Sequence, residues 1–334
     1  MVTPPRSSTM SKLLAVFGAT GHQGSSVIHH VLHDPILSAQ YTIRALTRDP
    51  TSHAAQRLKA KGVDVISADV LDRASLDRAL QGSHAVFAMT PPYSSPSAPR
   101  GTSAFAFEVE NGKRIADAAL AAGVRFFIFS TLPSVREISR GKYTAVAPFD
   151  GKAEAEKYIR GMEVDGMNSA FICPGAFMEN FAAQGWAKPR REVEGEEEVW
   201  TLCRPNSSAF RIPLIAARED VGKFVGAMLR DPQRFGGRRV CAAQGRYSWA
   251  EVAQCLGKSA GVEIRFRQCG WEEWRKMAPA EGMRDFLEEA YRYAEEFGGY
   301  FGEGEEEGVK WAVESVRGEG ELMGLEKFLE TEPF

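Results

Sequence analysis

The chain has 334 residues and its six histidines all lie at or before His84. A histidine-based catalytic dyad or metal site built from the C-terminal half is therefore excluded. His29, His30 and His33 cluster with Asp34, and their spacing reads as one face of a helix, with no metal expected. Cysteine is sparse and odd in number: Cys173, Cys203, Cys241, Cys255 and Cys269, with no C-x-x-C pair. That usage suits a reducing compartment and thiols that serve as core residues. No apolar run approaches the ~20 residues of a membrane helix. Residues 1–10 lack the apolar core of a secretory signal and read as a flexible tail. A cytoplasmic protein is expected, with the nucleus also open to it. Basic runs are short, "KPRR" at 188–191 being the best, and the net charge is −3. Direct nucleic-acid binding through a basic surface is not expected. The two "EGEEE" runs, 194–198 and 303–307, read as solvated loops.

What is present is an alternation of strand and helix patterns. "LLAVF" (13–17) is short and wholly apolar, as a parallel strand buried on both faces requires. Strands follow at 41–47, 63–68, 85–89, 124–130 and 169–175. Helices fall between them at 52–62, 72–82, 105–123 and 150–162. This predicts an α/β fold, a doubly wound parallel sheet of the Rossmann type, with ligands at the strands' C-terminal edge. Past residue 180 the regularity fades into helices at 218–231, 248–261 and 281–300 and a strand at 262–268. The second of these helices opens on a capping box, Ser248 and Glu251. The expected division is a nucleotide-binding domain over 11–180, with 205–245 returning to it. Segments 181–204 and 246–334 then form a smaller, mostly helical lobe without a complete sheet of its own.

The stretch "FGATGHQG" places glycines at 18, 21 and 24, between the first strand and a helix. Gly18 permits a sharp turn, Gly21 a close approach of backbone to phosphate, and Gly24 tight helix–strand packing. A pyrophosphate there meets unpaired first-turn amides and the positive end of the helix dipole. An NAD site usually carries an acid at the end of the second strand. Here the chain reads "RALTRDP", with Arg48 near that place. A guanidinium clamps a 2′-phosphate, so NADP(H) is expected over NAD(H). Asp69, after the third strand, is placed for the adenine end.

These segments resemble the NmrA-like family of atypical short-chain dehydrogenases/reductases. The likeness runs in order through "FGATGHQGSSV" (17–27), "RALTRDP" (44–50), "GSHAVFAMT" (82–90), "FFIFSTLPSV" (126–135), "FDGKAEAEKYIR" (149–160), "PGAFMENF" (174–181) and "EDVGKFV" (219–225). It implies NADP(H) contacts at Gly18, Thr20, Gly21, His22, Gly24, Arg48, Asp69, Thr90, Ser130, Lys152 and Asn180. It also implies two rival roles. One is a redox-cofactor sensor that regulates transcription through a protein partner. The other is an NADPH-dependent reductase or isomerase acting on a small apolar metabolite.

Ordinary members of that superfamily use Tyr-x-x-x-Lys with a preceding serine. Lys152 stands at the lysine's place, and Ser130 or Thr131 at the serine's. Pro148 stands where the tyrosine belongs, and the histidine often found there is missing as well. Tyr143, nine residues before Lys152, falls in the preceding loop. Lys152 is thus the candidate catalytic group, with ribose binding its alternative role. Phe177, Met178 and Phe181 read either as walls of an apolar pocket or as core. Trp186, Trp271 and Trp274 read as lining or core of the lobe.

Overall fold

The computed structural model describes residues 11–93, 101–183, 187–194, 197–277 and 281–333. The N-terminal tail and Trp186 lie outside them. The first half holds six strands, β1 (Lys12–Val16), β2 (Tyr41–Thr47), β3 (Asp64–Ser67), β4 (Ala85–Ala88), β5 (Phe126–Ser130) and β6 (Asn168–Pro174). Between them run α1 (His22–His33), α2 (Pro35–Gln40), α3 (His53–Ala60), α4 (Arg73–Leu80), α5 (Ala104–Ala121), α6 (Val135–Ile138) and α7 (Ala147–Gly161). A seventh strand, Arg239–Ala242, pairs with β6 and was not anticipated, because it is short and flanked by arginine. All neighbours are parallel, and the order across the sheet is Arg239–Ala242, β6, β5, β4, β1, β2, β3. The strand order reverses between β1 and β4, the usual ligand crevice of such sheets.

The central strands are largely apolar because helices cover both faces. Leu14, Val16, Phe87 and Ile128 pack on one side with α1, while Ala15, Val86, Phe127 and Phe129 pack on the other with α4 and α5. The helix Ala217–Arg230 lies against α1 at a backbone distance that two glycines set. A Cβ on Gly222 would stand 2.3 Å from the Ser26 carbonyl oxygen, and one on Gly226 would stand 2.5 Å from the His30 ring.

The C-terminal part is mostly helical, with helices at Trp249–Ala260, Trp271–Met277, Glu281–Glu296, Glu305–Ser315 and Leu325–Thr331. The Ser248–Glu251 capping box is formed. Two small sheets accompany the helices, contrary to the expectation that the lobe lacks one. Arg211–Ile215 lies between Gly245–Ser248 and Ala176–Phe177, and Glu197–Arg204 lies between Arg190–Glu194 and Ile264–Gln268. Of their strands only Ile264–Gln268 was anticipated, within 262–268; the others are very short or crowded with charges, which breaks the apolar signal. The second glutamate run is also not a solvated loop. It opens the helix Glu305–Ser315, where acidic residues suit the helix dipole, and Glu305 is buried against Arg246 (2.8 Å). Among the described residues no helix is long and apolar enough to cross a membrane.

Candidate functional site

The turn after β1 is built as its glycines suggest. Gly18 has φ +61°, a backbone state that L side chains rarely adopt. The Gly21 N–H donates to the Gly18 carbonyl (2.8 Å) and closes the turn. A Cβ at Gly24 would lie 2.3 Å from that same carbonyl oxygen, so α1 can start this close only with glycine there. No side chain caps the start of α1. Its first-turn N–H groups are thereby left to an incoming anion.

A cleft of about 390 Å³ opens at the C-terminal ends of the strands. Gly18, Thr20 and Gly21 form its floor, Arg48, Asp49 and Ser52 one end, Asp69 to Leu71 a flank, and Met89 to Pro92 with Phe107 the other end. A larger cleft of about 690 Å³ lies between α1 and α3. It shares Thr20 and Gly21 with the smaller cleft but is otherwise lined mostly by α1 and α3, whereas ligands of open α/β sheets sit at the strand ends. The smaller cleft is therefore the candidate site. Arg48 is exposed at its end, and the neighbouring Asp49 carboxylate accepts the Thr51 N–H (2.8 Å). Asp69 accepts the Leu71 N–H (2.9 Å), so it shapes the loop it belongs to while facing the cleft. His22 accepts a hydrogen bond from Arg218 (2.6 Å) and lines the larger cleft instead.

Three buried or half-buried polar groups meet at Thr90, the one of them that lines the cleft. Thr90, just after β4, Glu108 on α5 and Lys152 on α7 are mutually hydrogen-bonded, the lysine ammonium on the carboxylate and on the threonine oxygen. The Glu108 side chain is 3% exposed and that of Lys152 18%. Gly151 makes the meeting possible, since a Cβ there would stand 2.6 Å from Glu108 Cβ and 2.8 Å from the Phe105 carbonyl. Pro148 sits in the first turn of α7, where its missing N–H leaves no helical bond unmade.

The other candidates are distributed nearby. Ser130, at the end of β5, donates to Gln23 on α1 (2.8 Å), and both are buried. Thr131 donates to Glu156 (2.8 Å), a buried carboxylate also held by Arg160 and Arg239. Tyr143 lies in the loop before α7 but turns away to the lobe, donating to Glu296 (2.9 Å). Burial and that carboxylate push its phenol up. Asn180 is half-buried on the short helix Glu179–Ala183 and does not line the cleft. Met178 and Phe181 are buried in the core of the lobe, as are Trp274 and, half-buried, Trp271. His30 and Asp34 come together with Glu319, but the Arg230 guanidinium lies among them and bonds both carboxylates.

Glu108 and Gln23 escaped the sequence reading. Glu108 did leave a signal. On α5 it shares a helical face with Asn111, Ile115 and Ala119, all buried, and a carboxylate on such a face needs a partner.

The chain matches the model of the NmrA-like family over residues 10–329. It is 30% identical over 267 residues to the NmrA-like family domain-containing oxidoreductase hkm9 of Aspergillus hancockii, covering 78% of this chain and 77% of that protein. It is likewise 30% identical over 264 residues to the oxidoreductase ptmS of Penicillium ochrochloron, covering 77% and 75%. Among solved structures it resembles NmrA, a negative transcriptional regulator in complex with NADP, with a TM-score of 0.73, 22% identity and coverage of 96% and 94%. An NADPH-dependent quinone oxidoreductase of Escherichia coli, complexed with NADPH, gives a TM-score of 0.69 at 21% identity, covering 95% and 99%. The fold and the glycine-lined cleft define an α/β protein of the Rossmann type. Within that class, the chain belongs to the NmrA-like family.

Proposed function

We propose that this protein binds NADP(H) in the strand-end cleft and is an oxidoreductase acting on a small apolar metabolite. The residues fit the dinucleotide. The uncapped start of α1 and the Cβ-free space at Gly18 and Gly24 suit a pyrophosphate, and Arg48 at the end of the cleft suits a 2′-phosphate. The cofactor, when bound, supplies the hydride. The observation that carries the enzyme reading is the Thr90–Glu108–Lys152 cluster, which adjoins the cleft through Thr90. Lys152 donates from a fixed position to a substrate oxygen and passes it a proton, while Glu108 and the Thr90 oxygen hold the ammonium in place. This assigns proton transfer to lysine where Pro148 removes the tyrosine. The relatives named oxidoreductases support the same reading.

A second reading rests on Pro148 itself. Without the tyrosine, the dinucleotide would act as a signal, ordering the cleft for a regulatory protein partner. The two readings part in one assay, NADPH oxidation by the purified protein against ketones, enones and imines. Turnover with any of them supports the enzyme, and tight NADPH binding with none supports the regulator. Calorimetry tests the cofactor. Arg48→Ala is expected to weaken NADPH about 10- to 100-fold, the loss of one charge-assisted contact, with NADH unchanged. Equal weakening of both would remove Arg48 from 2′-phosphate recognition.

A further inference from the structure

Away from the strand-end cleft, the lobe buries a positive charge. Arg204 ends the strand Glu197–Arg204 and is 3% exposed. Its terminal nitrogens donate to the Cys203 carbonyl (2.8 Å) and the Ala187 carbonyl (2.6 Å), and its guanidinium stands 5.0 Å from the centre of the Trp249 ring. Carbonyls and a ring accept hydrogen bonds but carry no negative charge. Among the described residues no carboxylate pairs with Arg204. The Tyr291 phenol beside it stays neutral, because burial pushes it up. A buried cation without a counter-charge is costly, and burial lowers the Arg204 guanidinium from its usual value accordingly.

Arg204 lines a groove of about 10 Å³, room for one water-sized particle. Lys188, Arg190 and Thr201 line it too, with Trp274 and Met277. The Arg204 Nε and the hydroxyl of Thr201, a residue 2% exposed, are buried without a hydrogen-bond partner. Arg190 donates to the Met277 carbonyl (2.8 Å), and among the described residues neither it nor Lys188 pairs with a carboxylate. Cys203, the sulfur on the wall, stays a neutral thiol, held up by its bond to Cys269 and by burial. The carboxylates of Glu192 and Glu273 come within 4.8 Å of that sulfur, yet neither lines the groove and Arg267 bonds both (2.8 and 2.6 Å).

Three cations and two unpaired buried donors thus surround a space for one small particle. The Arg204 Nε–H can only donate, and the Thr201 hydroxyl can turn its proton to any acceptor. A water satisfies such donors but leaves the charge. A metal ion is repelled by the guanidinium, and a carboxylate or phosphate is too large. We propose that the groove is a halide site, which holds one chloride ion between the Arg204 Nε–H and the Thr201 hydroxyl. Lys188 and Arg190 add positive potential from the wall. Chloride is slightly larger than water, and the unbranched Lys188 and Met277 side chains give the groove the slack to admit it. The ion ties the strand Glu197–Arg204 to the helix Trp271–Met277, so its binding stabilises the lobe.

The test unfolds the full chain in urea over a sodium chloride series at neutral pH. Ionic strength is held constant with sodium gluconate, whose anion is too large for the groove. The unfolding midpoint should climb with the logarithm of chloride concentration, and bromide should act alike. Thr201→Val keeps the shape and removes the hydroxyl. It should raise the chloride concentration needed for half the effect about 10- to 100-fold, the loss of one hydrogen bond to a charged group. In gluconate alone it should be at least as stable as wild type, since the hydroxyl then has no partner to lose. Arg204→Met should lose the chloride response. A wild-type crystal soaked in sodium bromide should give an anomalous peak beside the Arg204 Nε, a readout that needs no variant to fold. The proposal fails if chloride and gluconate give the same midpoint, or if Thr201→Val responds as wild type does. A response that survives in Arg204→Met is a bulk salt effect and overturns it. So does a groove without an anomalous peak, the result for bound water only.

Discussion

Replacing Lys152 by methionine tests both the site and the way its lysine is held. The substitution leaves the Glu108 carboxylate, 3% exposed, with only Thr90 as a partner. Removing one member of a fully buried pair costs about 3–5 kcal/mol. Lys152 is 18% exposed and Thr90 retains its bond, so the lower end applies, about 3 kcal/mol. Glu108→Gln leaves the ammonium instead, which reaches water more readily, at about 1–2 kcal/mol. The double variant holds no unpaired buried charge. Its loss should be about 1–2 kcal/mol, well short of the sum of the singles, a coupling of roughly 3 kcal/mol. Urea unfolding followed by fluorescence at neutral pH measures all four proteins. If the double variant's loss equals the sum of the singles within about 0.5 kcal/mol, the pair is not coupled and the buried ion pair is the wrong description. The double variant also separates chemistry from folding. Lacking the lysine in a stable background, it should bind NADPH yet show no turnover, and turnover would exclude Lys152 as proton donor.

Three further substitutions probe the scaffold. Gly24→Ala sets a Cβ 2.3 Å from the Gly18 carbonyl, so α1 must retreat, and NADPH binding measured by calorimetry should fall below detection while the far-UV spectrum persists. Gly151→Ala wedges α5 from α7 at the Glu108–Lys152 contact. It should destabilise by about 1–3 kcal/mol in urea and lower kcat more than it raises the KM for NADPH, with unaltered kcat refuting the link. Asp220 is fully buried, bonds Lys223 (2.8 Å) and the Met323 N–H (3.0 Å), and is pushed up because burial outweighs those bonds. A carboxyl raised on folding contributes stability that is complete below its unfolded value, ~4, and is lost as pH rises through its folded value. Wild type should therefore lose stability relative to Asp220→Asn as pH rises from about 4 in urea titrations, and a flat difference would refute the assignment.

The sheet was legible because its central buried strands are almost wholly apolar, as "LLAVF" and "FFIF" are, and glycines punctuate them. The phosphate turn was legible for the same reason, since Gly18 and Gly24 have steric tasks that no other residue performs. The partner of Lys152 was not. Glu108 is 44 residues away in sequence, and only the packing of α5 on α7 at Gly151 brings them together. Of the lobe's small sheets the strand at 264–268 was legible, whereas Arg190–Glu194 and Glu197–Arg204 were obscured by arginines and glutamates, such as Arg191 with Glu198 (3.1 Å). A half-exposed strand hides its period when its outer face is this charged.

The edge strand Arg239–Ala242 has a consequence for how the protein is made. It completes β6, and the helix Glu305–Ser315 packs over it in turn. On the ribosome β6, with "FICP" at its end, emerges about 65 residues before its partner strand. At ~5–20 residues per second its edge stays open for several seconds, and the covering helix arrives later still. An apolar strand edge exposed for that long is a template for pairing with another nascent chain. Yield in cells should therefore depend on synthesis speed and chaperone supply more than the finished molecule's stability suggests.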